Sequence, residues 1–417
     1  MDLSQQSVSE DFAPRETGPI SAQSLPVAAP LPRRTVLIFA IACGLVVANL
    51  YYAQPMLNVI GREFHSAPGT VGLVITLTQV GYAAGLLFLV PLGDLLNRRR
   101  LVITVLLGTT LAVVATAISP PRIWLTTVSL MVGVTSVVAQ VLIPFAASLS
   151  PAADRGRVVG TIMSGLLLGI LLARTFSGLV GQVSSWRAVY WLAAALMLAL
   201  LVVLRRELPR EDPHPEALSY GSLLRSVGRI ALEEPLLRRR AVYGAMVFAA
   251  FSVFWTVAAF LLSRPPYNYN QAVIGLFGLA GVAGALCASV AGRLSDRGLS
   301  RIATGAFLLC ALLSFILLDI GGHALIPLIL GVVVLDLGVQ GTHITNQSEI
   351  YRLRPEARSR LTTVYMVAYF VGGSLGSATA AIIYALSGWT GVCLLGAAYI
   401  AIAFAFWLTE LRSRRSA

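Results

Sequence analysis

Lysine is missing altogether: the 31 basic residues among 417 are all arginine. That removes a Walker A loop, whose lysine grips the β- and γ-phosphates, and any lysine that could form a Schiff base. Charge of either sign is scarce, at 12% against about 25% in an ordinary globular domain. Histidine occurs four times, scattered, with no HExxH pair, so a zinc hydrolase is not written here. The four cysteines (Cys43, Cys287, Cys310, Cys393) are far apart and form no CxxC pair. They read as small buried apolar residues rather than a disulfide framework. No metal or cofactor motif remains. The net charge of +12 invites a nucleic-acid reading, but the arginines flank apolar runs instead of covering a soluble module, so no nucleic-acid partner is expected.

What the chain has is hydrocarbon: 57% of its residues are hydrophobic and its mean hydropathy is +0.79. Apolar runs of membrane-crossing length repeat along it and predict an all-α, polytopic membrane protein. Twelve spans are expected, near 35–54, 70–92, 101–118, 124–149, 158–183, 188–204, 241–263, 272–292, 302–320, 325–348, 361–385 and 390–408. Residues 1–32 lack an apolar period and are expected to be disordered; they also lack the pattern of a signal peptide. Six spans then occupy 33–204, a polar linker 205–240, and six more 241–417. The linker has room for one amphipathic helix near 218–232, and its end carries Arg238, Arg239 and Arg240. With both termini placed in the cytoplasm, about 26 of the 31 arginines fall on the inner side. The first span closes with Asn49-Leu50-Tyr51-Tyr52-Ala53-Gln54-Pro55, read as a cluster at the outer interface.

Two short charged loops divide equivalent pairs of spans. One is Gly93-Asp94-Leu95-Leu96-Asn97-Arg98-Arg99-Arg100; the other runs from Gly292 to Arg301 through Asp296 and Arg297. Asp94 and Asp296 lie 202 residues apart, and Arg155 and Arg358, Gly169 and Gly372, Trp186 and Trp389, and Glu207 and Glu410 each lie 203 apart. A parallel repeat of two six-helix halves is the simplest account, and such repeats place a substrate site between the halves near mid-depth.

These doubled loops resemble the signature of the major facilitator superfamily, Gly-x-Leu-x-Asp-Arg-x-Gly-Arg-Arg. Gly292, Leu294, Asp296, Arg297 and Arg301 follow it closely. The first copy keeps Asp94, Arg98 and Arg99 but has Val90 for the leading glycine and Leu95 for an arginine. The stretch 49–55 together with 336–360 further resembles bacterial efflux proteins akin to drug:proton antiporters. The resemblance implies a transporter of a small molecule, monomeric, in a bacterial inner membrane, and not an enzyme. It also implies that Asp94 lies beside the start of the eleventh span and acts as a latch between halves. Two departures stand out: Ser129 occupies a place where such antiporters carry arginine, and the fifth span has Gly165, Gly169, Gly178 and Gly181 but no Gly-Pro pair.

The tenth span carries the chemistry. Asp336, Gln340, His343 and Gln347 fall at i, i+4, i+7 and i+11, one polar stripe on an apolar helix, with Asn346 at its edge. Such a face must look into the bundle or a wet cavity. Asp336 is the candidate proton or cation site, with His343 a second titratable group. Arg174 is buried in the fifth span, at a depth of roughly 14 Å from its outer end, against roughly 16 Å for Asp336. It is expected to face inward and to pair with Asp336 or with an anionic substrate. Asn49, Gln79 and Gln140 complete the expected path. The reading is export of a small organic or amphipathic compound coupled to proton movement, with uptake of a polar or anionic metabolite as the second reading.

Overall fold

The computed structural model describes residues 31–120, 122–151, 154–209, 219–281, 290–295, 297–354 and 357–413. Asp296, Cys287 and nearly all of the tail expected to be disordered lie outside them. Helices fill the described chain, and no strand occurs among the described residues. This is what hydrocarbon demands, because a helix satisfies its own backbone groups where water cannot. Nine helices among the described residues are long and apolar enough to cross a membrane. The last of them, Arg358–Glu410, holds two spans divided at Gly388, whose φ of 64° and ψ of −155° only glycine adopts without strain. With the interrupted first span and the eighth, which begins at Gln271–Leu276, the chain has the twelve-span architecture expected from its sequence.

The first span departs from expectation in an instructive way. Its opening helix, Arg33–Ala48, is 16 residues long. That is about 24 Å, short of the roughly 30 Å hydrocarbon thickness. A turn at 49–53, a single 3-10 turn at Gln54–Met56 and a second helix, Leu57–Glu63, complete the crossing. The 49–55 cluster therefore does not sit at the outer interface. Asn49, Tyr51, Tyr52 and Gln54 are buried inside the protein. Pro55 has no N–H to give the ladder and breaks the helix, but apolar sequence resumes at Leu57 and carries the chain onward.

A second correction concerns the linker. Its helix, Tyr220–Glu233, matches the expected amphipathic segment and buries Leu223, Val227 and Ile230 at i, i+4 and i+7. The seventh span, however, already starts at Pro235, so Arg238, Arg239 and Arg240 belong to it. Proline at the first helical position costs nothing there, which lets the helix begin earlier than hydropathy suggests.

The repeat is visible in the packing. A Cβ at Gly169 would lie 2.2 Å from the Gly44 carbonyl oxygen, and one at Gly372 would lie 2.1 Å from that of Ala245. In each half the fifth helix thus presses its backbone against the first through a glycine, the close approach that small residues allow between membrane helices.

The halves meet at the arginine-poor end. Along the second and eleventh spans, Gly72 abuts Ala381, Thr76 bonds Ser377 Oγ at 3.1 Å, and the Tyr82 and Phe370 rings lie 4.4 Å apart. Ser377 also accepts from Thr256 of the seventh span at 3.0 Å. Along the fifth and eighth spans, Gly178 touches Gln271 and Gly275, and Thr175 donates to the Gly275 carbonyl. At the arginine-rich ends, a Cβ at Gly156, Gly160 or Gly292 would meet nothing within 4 Å.

Candidate functional site

Arg174 and Asp336 come from different halves and meet just inside the seal. Register fixes their depth. Gly178 and Thr175 touch Gly275 in the seal, Arg174 packs on Gly278, and Asp336 packs on Gly281, each step three residues farther from the sealed end. Here the eighth span leaves α-helical geometry for a 3-10 stretch, Phe277–Gly281. Its glycines are needed, since a Cβ at Gly281 would stand 2.7 Å from the Asp336 carboxylate. The break in the first span lies at the same level, because Gln54 bonds Arg174. Two interrupted helices flanking buried charges is a recurrent construction of transporter binding sites.

Arg174 is 4% exposed. Its Nε donates to Gln54 Oε1 at 2.6 Å, and its Nη1 reaches the Ile170 carbonyl at 3.4 Å. Its guanidinium carbon stands 4.1 Å from the Trp255 ring centre, 4.7 Å from Tyr51 and 5.8 Å from Phe251. Aromatic faces favour a cation and cost it less desolvation than alkyl walls would. Nη2 has no partner. Asp336, also 4% exposed, lies within reach of the Trp255 indole N–H, but neither its Oδ1 nor the indole Nε1 completes a well-aligned hydrogen bond. The two charges act on one another, but no ion pair joins them among the described residues. The expectation that Arg174 faces inward holds; a direct bond to Asp336 is absent, because Gln54 and the aromatic cage hold the guanidinium instead. A void of about 10 Å³ remains beside Gln54, Arg174 and Trp255.

Of the rest of the stripe, His343 and Gln347 face the eleventh span. His343 Nδ1 is 3.0 Å from Tyr365 Oη, and its ring lies 4.7 Å from that of Tyr369. Gln340 is half-buried, and Gln347 Nε2 lies 4.0 Å from the Met366 sulfur. Gln79 Nε2 donates to Ser252 Oγ across the halves at 3.1 Å, leaving its Oε1 unpartnered, and Gln140 donates to Tyr82 Oη at 3.3 Å. Asn49 does not join them. Its amide bonds the Val46 carbonyl and the Met197 sulfur of the sixth span, inside the first half. The turn that follows Ala48 rotates it away from the inter-half surface.

Asn346 is held by a residue that the sequence hid. Arg240 is 2% exposed; its Nη1 donates to Thr304 Oγ1 at 2.9 Å and to Asn346 Oδ1 at 3.4 Å, and its Nη2 lies 4.0 Å from Glu349. It ties the seventh, ninth and tenth spans together at the arginine-rich end. Nothing in a run of three arginines marks which one turns inward. The seventh-span part of the aromatic cage was more legible: Phe251 and Trp255 fall at i and i+4, on one face of that helix.

The loop residues divide. Arg98 donates to the Gly93 carbonyl and to Ser148 Oγ and pairs with Asp94 at 3.9 Å; Arg99 donates to the Arg205 carbonyl. These bonds stay within the first six spans. Among the described residues, no hydrogen bond or ion pair joins Asp94 to the eleventh span. In the second loop, Arg301 donates to the Glu410 carbonyl and Arg297 continues a backbone turn from Arg293. A groove of about 550 Å³ lies elsewhere, between the first and fifth spans. Its lips, Leu37, Ile41, Leu168 and Leu172, are exposed and apolar, so it opens sideways rather than onto the charges.

Comparison with known proteins agrees with this architecture. The family model for the Major Facilitator Superfamily matches residues 38–350. The chain is 48% identical over 372 residues to the uncharacterized transporter YgaY of Escherichia coli O157:H7, covering 89% of this chain and 94% of that one. It is 34% identical over 367 residues to the probable transporter SCO4007 of Streptomyces coelicolor, covering 88% and 85%. Its fold superposes with a TM-score of 0.75 on a bacterial homolog to the human lysosomal transporter Spinster, in an inward-facing and occupied conformation, at 15% identity and 92% and 98% coverage. Family match, transporter relatives and fold agree: the chain belongs to the major facilitator superfamily and is a multi-pass membrane transporter, not an enzyme.

Proposed function

We propose that this transporter exports a small organic or amphipathic compound in exchange for protons, by alternating access between its two halves. The observation that carries the reading is the pair of buried charges, Arg174 and Asp336, one from each half, held just inside a seal without bonding one another. A buried carboxylate beside a cation can exchange a proton for a solute group, so solute and proton compete for one place. With the arginine-rich side taken as cytoplasmic, the conformation is open inward and sealed outward. A solute would then arrive from the cytoplasm along Gln347, His343 and Gln340 and stop at Asp336. Asn346, Gln79 and Gln140 line or brace that route. The seal of Thr76, Ser377, Gly178 and Gly275 would open as the Asp94 loop closes the other end.

Transport in proteoliposomes under an imposed pH gradient tests this, with a mixed library of dyes and carboxylates and with Asp336→Asn alongside. Movement against the proton gradient, lost in the variant, is the expected result. Co-directional movement would favour uptake, and movement indifferent to both gradient and Asp336 would leave a facilitator.

A further inference from the structure

We infer that the solute is amphoteric: an anionic group and a cationic one on a small apolar body, as in an amino-carboxylate. This rests on the proposal that Arg174 and Asp336 form the solute site. Arg174 Nη2 and Asp336 Oδ1 are buried and unpartnered, and the Trp255 N–H lies against the Asp336 carboxyl without a well-formed hydrogen bond. Native proteins rarely leave such groups bare, and a bare charge is the costliest kind. The two charges have not collapsed into an ion pair. Arg174 is held off by Gln54 and by the rings of Trp255 and Tyr51, and Asp336 by its seat against Gly281. The site thus presents a positive and a negative group separately, and the void beside Arg174 has room for no more than about one water in this conformation.

Four solute classes can be compared on that chemistry. A monocation satisfies Asp336 and is repelled by Arg174. A monoanion does the reverse. A neutral polyol reaches both groups with hydroxyls but leaves both full charges uncompensated in a dry interior. An amphoteric solute places its carboxylate on Arg174 and the indole N–H, and its ammonium on Asp336, so both charges are neutralised together. It also gives the proton a rival: protonated Asp336 loses its hold on the ammonium, while Arg174 alone keeps the carboxylate weakly. Toward the open end the walls are rings, with Phe248 and Tyr369 stacked at 4.1 Å and Phe370 at 5.0 Å from Phe248, which suits an apolar body.

Four probes separate these classes: phenylalanine, phenethylamine, 3-phenylpropionate and methyl glucoside. The first three share one ring and differ only in charge. Binding is measured by calorimetry on the detergent-solubilised full chain. Phenylalanine is expected to bind about ten-fold or more tighter than either singly charged analogue, the worth of one charge-assisted hydrogen bond. Arg174→Gln should erase its advantage over phenethylamine, Asp336→Asn its advantage over 3-phenylpropionate, and Arg174→Lys should restore part of the first. Equal or tighter binding of a singly charged analogue, binding of the glucoside alone, or binding of none of the four would overturn the inference. Gradient-driven export of a dye or monoanion would overturn it too while leaving proton antiport standing. Phenylalanine binding without any gradient-driven transport would do the opposite.

Discussion

Two buried arginines, Arg174 and Arg240, show how differently one side chain can be used within a single bundle. Arg240 leaves its Nε unpartnered too, but it is enclosed by Thr304, Asn346 and the Glu349 carboxylate, all from its own half. Arg174 has one side-chain oxygen, three aromatic faces and an unpartnered nitrogen, with its nearest opposite charge in the other half and out of bonding reach. Each carries a cation into the protein at a desolvation cost. In one, neighbours within the half offset that cost; in the other, a full offset needs something that comes and goes. The comparison teaches that burial alone does not mark a working charge. What marks it is an opposite charge that lies across the surface between the halves and is not bonded.

The largest effect that would break or sharpen this contrast is at the working pair. Arg174→Ala and Asp336→Asn should each lower gradient-driven transport by about 100-fold or more, the loss of one or two charge-assisted hydrogen bonds. Melting in detergent should stay near the parent's or rise for Asp336→Asn, since a bare buried charge disappears. A large fall in melting temperature for either variant would make them structural residues like Arg240.

Arg240→Met should show the converse pattern. It strands Thr304, Asn346 and Glu349, at a cost of roughly 2–4 kcal/mol in stability, read by thermal or denaturant unfolding. Transport per folded molecule should change little. Abolished transport at unaltered stability would remove the distinction between the two arginines.

Trp255→Phe keeps an aromatic ring near Arg174 but removes the indole N–H together with one of the two fused rings. A loss of about five-fold in solute affinity, near one neutral hydrogen bond, is the expected result, measured by calorimetry with the transported compound. Asp94→Asn should have the smallest effect. If the loop latches the arginine-rich end in the alternate state, the variant should shift the population toward the present open form by about two- to five-fold, worth under about 1 kcal/mol. Spin labels at Gly156 and Gly292, both facing open space here, would report that shift; an unchanged distance distribution would dispose of the latch.

Much of this architecture was legible in the sequence because hydrocarbon leaves so few options. Apolar length located the spans, and the tenth-span stripe, with polar groups at a helical period, had to face inward. Arg174 was legible for the same reason, as a charge too deep to reach either interface. What stayed hidden depends on rotation within a helix or on tertiary partners. Hydropathy cannot tell a span that ends at Pro55 from one that breaks there and resumes at Leu57. The same break turned Asn49 into the first half, away from the path. Arg240 looked like one more cytoplasmic arginine, since only the fold reveals Thr304 and Asn346 waiting for it. The Asp94 contact depends on which end of the molecule is open, which no sequence states.

The central claim is that one carboxylate, Asp336, is shared in turn by proton and solute. Its most direct test is to count protons released into weakly buffered solution when the compound identified by gradient-driven transport is added to the solubilised protein. The account predicts release on the order of one proton per solute bound near the pH where transport is half-maximal, and none from Asp336→Asn. Equal release from parent and variant, or binding with no release at any pH, would contradict it.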